Sequence, residues 1–145
     1  MKVTNEKAFY DYEILERIEV GIQLTGAEVK AARAGQVDLK GSFVKIVNSE
    51  AVLVNAKIFP YEYARPEGYD PHRTRKLLLH KKELISLQSK TEGANLTIVP
   101  VSVYTKHHLI KLEIALAKPK KQYQKREDLK RRAIQRDIET ALKNK

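Results

Sequence analysis

The chain has 145 residues, 28 Lys and Arg against 18 Asp and Glu, and no cysteine. That length suits one domain with a core and an appendage, and the missing cysteines exclude disulfides and thiolate zinc sites. A net charge of +10 points to a polyanionic partner, nucleic acid first; on charge alone an anionic membrane surface stays open as the alternative.

The residues after Met1 are charged and lack the apolar run of a targeting segment. No later stretch approaches membrane length, so a soluble, cytosolic protein is expected. Tyr12–Leu24 mixes β-branched residues with alternating charges and reads as a long strand, bent near Gly21. Thr25 and Gly26 open a short helix, AEVKAARA, that Gly35 closes as its C′ residue. Two strands follow, SFVKIVN (42–48) and AVLVNAKIF (51–59), joined by a tight turn near Asn48-Ser49-Glu50. Phe43, Ile46, Val52, Val54 and Ile58 are their expected inward residues. Residues 60–73 hold three prolines and one glycine and read as a long loop carrying Tyr61, Tyr63 and Tyr69. Arg75–Leu79 reads as a strand, and Lys81–Lys90 as a helix with Leu84, Ile85 and Leu87 on its apolar side. LTIVPVSVY (96–104) and LIKLEIALA (109–117) make a last hairpin around Thr105–His108. Pro100, having no N–H to donate, belongs at an edge or bulge of that hairpin. Six strands and two or three short helices predict a mainly β domain over residues 1–117. Closure into an oligonucleotide-binding-like barrel would remove its free edges.

From Lys118 onward eleven Lys and Arg face four acids, so a fifth of the chain holds most of the net charge. Leu129, Ala133, Ile134, Ile138, Ala141 and Leu142 recur at spacings that fit one narrow helix face. That stripe is too thin to order a helix by itself, where nucleation is costly. Residues 118–145 are therefore expected to be a basic tail, disordered when free and folding on an RNA surface. A solvated charged terminal helix is the blander alternative.

His72, His80, His107 and His108 have no metal-ligand spacing, and His107-His108 reads as a hairpin turn. No nucleophile elbow, Walker loop or dinucleotide fingerprint occurs, so no catalytic residue, metal, cofactor or small-molecule substrate is expected. RNA contact has better candidates. Arg73, Arg75 and Lys76 offer cations for phosphates beside tyrosines able to stack on bases. Asn5 and Lys7 precede the first strand and offer contacts to bases or phosphates, although Asn5 equally suits a turn or cap. Glu19, an acid on a basic protein, can accept from base amino groups or 2′-hydroxyls; a structural salt bridge is the competing explanation.

Taken in order, several runs resemble the SsrA-binding protein (SmpB) family. They are N-E-K-A (Asn5–Ala8), D-Y-E-I (Asp11–Ile14), E-V-G-I (Glu19–Ile22), G-A-E-V-K (Gly26–Lys30) and R-A-G (Arg33–Gly35). D-P-H-R-T-R-K-L-L-L (Asp70–Leu79) is the most specific, and K-L-E-I-A-L-A-K (Lys111–Lys118) leads into K-K-Q-Y-Q-K-R (Lys120–Arg126). The resemblance implies an oligonucleotide-binding-like barrel in a bacterial, cytosolic adaptor of trans-translation. Its implied partners are the tRNA-like domain of transfer-messenger RNA (tmRNA) and the small-subunit decoding centre of stalled ribosomes, with no membrane involved. On this resemblance Asn5, Glu19 and Lys111 contact the RNA. With Lys7, Arg73, Arg75 and Lys76, and Lys118, Lys120 and Lys121 at the barrel exit, they make up the expected RNA-binding set. Tyr123, Lys125, Arg126, Lys130, Arg131, Arg132 and Arg136 are the expected ribosome contacts of the tail. Gln124 replaces the usual Asp of the family's D-K-R element, and Pro119 replaces the usual Gly after A-L-A-K. Pro119 predicts a stiffer exit from the barrel than a glycine hinge would give.

Overall fold

The computed structural model describes residues 1–61 and 67–143. The chain opens with β1 (Lys2–Thr4), α1 (Glu6–Asp11), β2 (Tyr12–Ile22) and α2 (Gly26–Arg33). Next come β3 (Val37–Asp38), β4 (Phe43–Val47), β5 (Glu50–Val54), β6 (Lys57–Ile58) and β7 (Arg75–Leu78). It closes with α3 (Lys81–Gly93), β8 (Thr97–Lys106), β9 (Leu109–Pro119) and α4 (Gln122–Lys143).

Strand β8 pairs with β4, β4 with β5, β5 with β7, β7 with β2, β2 with β9, and β9 again with β8, all antiparallel. They match the six strands read from the sequence, except that the expected 51–59 strand breaks at Asn55 (φ 65°), leaving Glu50–Val54 in the ring and Lys57–Ile58 as β6. The six form a closed ring that leaves none of them as a full edge. Two additions escaped the sequence reading. Strand β1 lies along the far half of β8, with Val3 opposite Val103, and β3 pairs with β6 outside the ring.

Both tight hairpins use turns with positive φ at two successive residues, Asn48 (50°) with Ser49 (60°) and His107 (50°) with His108 (66°). Such turns match the twist of the flanking strands. Pro100 sits where the β8–β9 register slips, between Pro100 and Ser102, so the ladder is interrupted where a donor is missing. Strand β2 slips between Ile14 and Glu16. Gly21 is instead where β2 passes from β9 to β7, facing both Lys111 and Leu78. A Cβ there would lie 3.2 Å from that of Leu78.

The ring is filled from alternate positions of its strands, among them Val20, Leu53, Leu77, Ile98, Leu112 and Ile114. The phase of the β4–β5 hairpin corrects the sequence expectation. Val44 and Leu53 face each other inside, with Ile46 opposite Ala51, whereas Phe43, Val52 and Val54 lie on the other face. Ile58 is buried as expected. Helix α2 closes one side through Ala31 and Ala32, and α3 contributes Leu87, while Ile85 is exposed. Thr25 and Glu28 form a capping box at the start of α2. At its end Gly35, at φ 76°, permits the paired bonds Gln36 N–H to Ala31 and Gly35 N–H to Ala32, a Schellman closure. A second, smaller cluster of Ala8, Val99 and Ala117 fixes α1 against the outside of the barrel.

Candidate nucleic-acid interface

Strand alternation decides which side chains share the outer wall. Across β2 and β9, Glu19 stands opposite Glu113 and Gly21 opposite Lys111; across β8 and β9, Tyr104 stands opposite Lys111 and Ser102 opposite Glu113. Arg17, Glu19, Tyr104, Lys106, Lys111 and Glu113 therefore share one outward face. The Tyr104 hydroxyl donates to the Glu19 carboxylate, and Lys106 Nζ lies 3.3 Å from each of its oxygens. Arg17 donates to Glu113 Oε1 at 3.3 Å, its guanidinium 5.2 Å from the centre of the Phe9 ring. The Tyr104 hydroxyl holds the Glu19 carboxyl below its ordinary range; lost hydration opposes this, and Lys106 and Lys111 add to the lowering. Burial and the Glu19 charge push the Tyr104 hydroxyl up, so it remains a donor. Glu19 and Lys111, singled out by the sequence, thus meet on one wall. Tyr104 and Lys106 were missed, although the alternation of VSVYTK already placed both on one side of β8.

Asn5 has a different place from the one expected. It is 5% exposed and caps α1, its Oδ1 accepting from Ala8 N–H at 3.4 Å. Its Nδ2 donates to Pro100 O at 2.8 Å and Leu39 O at 3.3 Å, and its own N–H donates to Val101 O at 2.7 Å. The carbonyls freed by the Pro100 bulge are thereby satisfied, and the cap alternative weighed for Asn5 describes its geometry. Lys7, one turn on, is half exposed and 3.6 Å from Asp11. It borders a cleft also lined by Asn5, Gly41, Ser42 and Phe43.

Arg75 requires a correction. It is fully buried, and its N–H groups are all engaged: Nε with Glu28 at 2.7 Å, and the two terminal nitrogens with Ala56 O, Arg73 O, Pro71 O and the Tyr69 hydroxyl. With five donors used, nothing is left for a phosphate. Arg73 reaches the other Glu28 oxygen at 2.5 Å, and the Tyr69 hydroxyl donates to Ile58 O at 2.9 Å. Together they tie α2, residues 67–73 and β7 into one internal knot. Burial pushes the Glu28 carboxyl up, but the hydrogen bonds from Arg73, the Thr25 N–H and Arg75 outweigh it and bring it down to about 2. Tyr61 packs against the core beneath Lys30, whose Nζ is 5.7 Å from the ring centre; Tyr63 falls outside the described residues. Lys76 is exposed and 3.3 Å from Glu50. The Arg73–Arg75–Lys76 run therefore does not form one cationic patch.

At the barrel exit Lys118 and Lys121 are exposed. Lys120 is held: its N–H donates to Asp11 O, and its ammonium donates to Phe9 O at 2.8 Å and pairs with Asp128. Lys125 lies 3.4 Å from Asp11 and 5.6 Å from the centre of the Tyr10 ring. The first turns of α4 thus lean on α1. Gln124, the residue in place of the family's Asp, accepts from the Lys121 N–H at 2.9 Å and satisfies a donor ahead of the helix. Beyond this anchor, Tyr123, Arg126, Lys130, Arg131, Arg132 and Arg136 are exposed. So are Leu129, Ile134, Ile138 and Leu142; the apolar stripe exists, and the barrel does not cover it. No described helix is long and apolar enough to cross a membrane.

A closed β-barrel with a charged outer wall and a cationic helix leaving it defines a small basic barrel protein fitted to present a surface to a polyanion. Residues 2–144 match the family model described as SmpB protein. The SsrA-binding protein of a Sulfurihydrogenibium species is 54% identical over 142 residues, which cover 98% of this chain and 93% of that protein. The SsrA-binding protein of Enterococcus faecalis is 49% identical over 140 residues, covering 97% and 91%. The chain belongs to the SmpB family. A solved chain described under "tmRNA-SmpB: a journey to the center of the bacterial ribosome" superposes with a TM-score of 0.70 at 46% identity, over 83% of this chain and 85% of that one.

Proposed function

We propose that this protein is a non-enzymatic, cytoplasmic RNA-binding adaptor of trans-translation. Its barrel takes the tRNA-like domain of tmRNA to stalled ribosomes, and its tail enters the decoding centre and the empty message channel. The observation that carries this reading is the likeness, in sequence and in fold, to a solved chain described together with tmRNA and the ribosome. The outer wall supports the first half: Glu19 is a held acceptor and Lys111 a neighbouring cation, a pairing suited to base or ribose groups beside a phosphate. In the reading Lys7, Lys76, Lys118 and Lys121 add phosphate contacts, and Asn5 acts by holding α1 in place.

The second half rests on α4. Its cations are exposed and its apolar stripe is uncovered, so the helix gains little from the barrel beyond its first turns. The tail is accordingly frayed in the free protein and becomes a stable helix when ribosomal RNA neutralises it. Purifying the protein from its cells and sequencing the bound RNA tests the proposal. One dominant tRNA-like species is the expected result. A broad mixture of ribosomal and messenger RNA would instead make the protein a general RNA chaperone.

A further inference from the structure

The outer wall contains a residue that neither the charge pattern nor the family motifs single out. Tyr104 is half-buried on β8, opposite Lys2 on one side and Lys111 on the other. Its ring packs within the wall while its hydroxyl donates to the Glu19 carboxylate across the sheet. Lys106 Nζ lies 3.3 Å from both oxygens of the same carboxylate. Glu113 stands directly opposite Glu19, a like charge that would turn the carboxylate away, but it is engaged by Arg17 at 3.3 Å. Glu19 is thus a carboxylate with a fixed orientation on an exposed surface, where an unpartnered glutamate would sample several rotamers.

We infer that Tyr104 is a positioning residue for RNA recognition: its hydroxyl, assisted by Lys106, holds Glu19 so that the free lone pairs of the carboxylate face an amino or hydroxyl donor of the RNA. The inference rests on the reading that Glu19 contacts the tRNA-like domain, and it adds the means of specificity. A carboxylate can accept several hydrogen bonds, so Tyr104 and Lys106 leave acceptor capacity unused. Lys106 and Lys111 also offset the repulsion that a carboxylate exerts on incoming phosphates, which leaves Glu19 to discriminate by hydrogen bonding. A mobile acceptor would lose part of that discrimination to ordering entropy, as any flexible group does.

The test is a double-mutant cycle on the full chain with Tyr104→Phe, Glu19→Gln and the pair. Binding is measured to a transcript of the tRNA-like domain of tmRNA and to random-sequence RNA of equal length. Tyr104→Phe keeps the ring and is expected to melt close to the parent. It should weaken the tRNA-like complex about tenfold, the loss typical of a hydrogen bond involving a charged group, and leave random RNA within about twofold. In the pair, Tyr104→Phe should add nothing to Glu19→Gln, because there is no carboxylate left to position. A carbon-detected NMR titration gives a readout that packing alone would not move: the Glu19 carboxyl should titrate higher in Tyr104→Phe. Lys2, Arg17, Lys106, Lys111 and Glu113 are the other charges on that wall, and all are unchanged in the variant. If Glu19→Gln weakens specific binding while Tyr104→Phe does not, the positioning role is wrong and the adaptor reading stands. If Glu19→Gln itself changes nothing, the contact assigned to Glu19 is wrong. If the two losses add in full, Tyr104 touches the RNA by itself and the positioning role is again overturned.

Discussion

The internal knot of the barrel and helix α4 are both rich in cations, and they use them in opposite ways. Arg75 is fully buried with its donors divided among Glu28, Tyr69 and three carbonyls. Arg126, Lys130, Arg131, Arg132 and Arg136 of α4 are exposed along a helix anchored to α1 through Lys125 and Asp11. A buried cation with a complete set of partners cannot exchange them for phosphate without unfolding its surroundings, whereas an exposed one gives up only water and counterions. Charge in this chain is therefore structural or available according to geometry. The barrel contributes shape and a few oriented groups; α4 contributes exposed charge.

The comparison breaks most visibly at Arg75. Arg75→Met should cost about 3–5 kcal/mol of stability, because Glu28 would be left buried with part of its pairing gone; thermal and urea melts measure it. The folded fraction should still bind RNA. A stable variant with weakened RNA binding would move Arg75 from the knot to the interface. Glu28 sharpens the same point through pH. Its folded pKa of about 2 lies below the ordinary glutamate range, so its contribution is complete above about 4.5 and is lost as the pH falls through the folded value. Acid melts of Glu28→Gln should lack that limb, and an unchanged limb would assign it to other carboxylates.

Asn5→Ala comes next, at about 1–2 kcal/mol, since it removes an N-cap and uncovers carbonyls at the Pro100 bulge. An unchanged melting temperature with weakened RNA affinity would restore Asn5 as a direct RNA ligand. In amide exchange on the free protein, residues 129–142 should be nearly unprotected while β8 and β9 exchange only on global unfolding. Equal protection would mean that the tail is part of the folded body. The smallest effect is expected at Gln124→Ala, about 0.5 kcal/mol of helix stability from the missing bond to the Lys121 N–H. Circular dichroism of the full chain, compared before and after the change, reads it.

The six strands of the ring were legible because their alternation is strong and the turns between them carry Asn, Ser and His where φ is positive. The inward phase of β4 and β5 was not, because SFVKIVN and AVLVN carry apolar residues on both faces and only pairing chooses between them. Helix α1 was hidden for a similar reason. Six residues with one buried side chain, Ala8, leave no periodic signal. Glu19 and Lys111 were recognisable through the family motifs, but the partner that fixes Glu19 lies 85 positions away, a distance that only the strand register closes. Arg75 was misassigned because its neighbours Arg73 and Lys76 make it look like part of a basic run. Its burial depends on Glu28, 47 residues earlier, which the capping box holds at the start of α2.

The division of labour between barrel and tail is tested most directly by a chain that ends at Lys121. This variant keeps the outer wall and the Lys120 anchor to α1 and lacks all of α4. Its binding to the tRNA-like transcript is measured across salt concentrations, alongside rescue of stalled ribosomes in a reconstituted translation system. The expected result is retained specific binding, no rescue, and a shallower salt dependence. The salt slope should fall by roughly 0.7–0.9 for each phosphate that the tail neutralises in the full chain. Rescue that survives the deletion, or specific binding that disappears with it, would contradict the assignment of recognition to the barrel and ribosome entry to the tail.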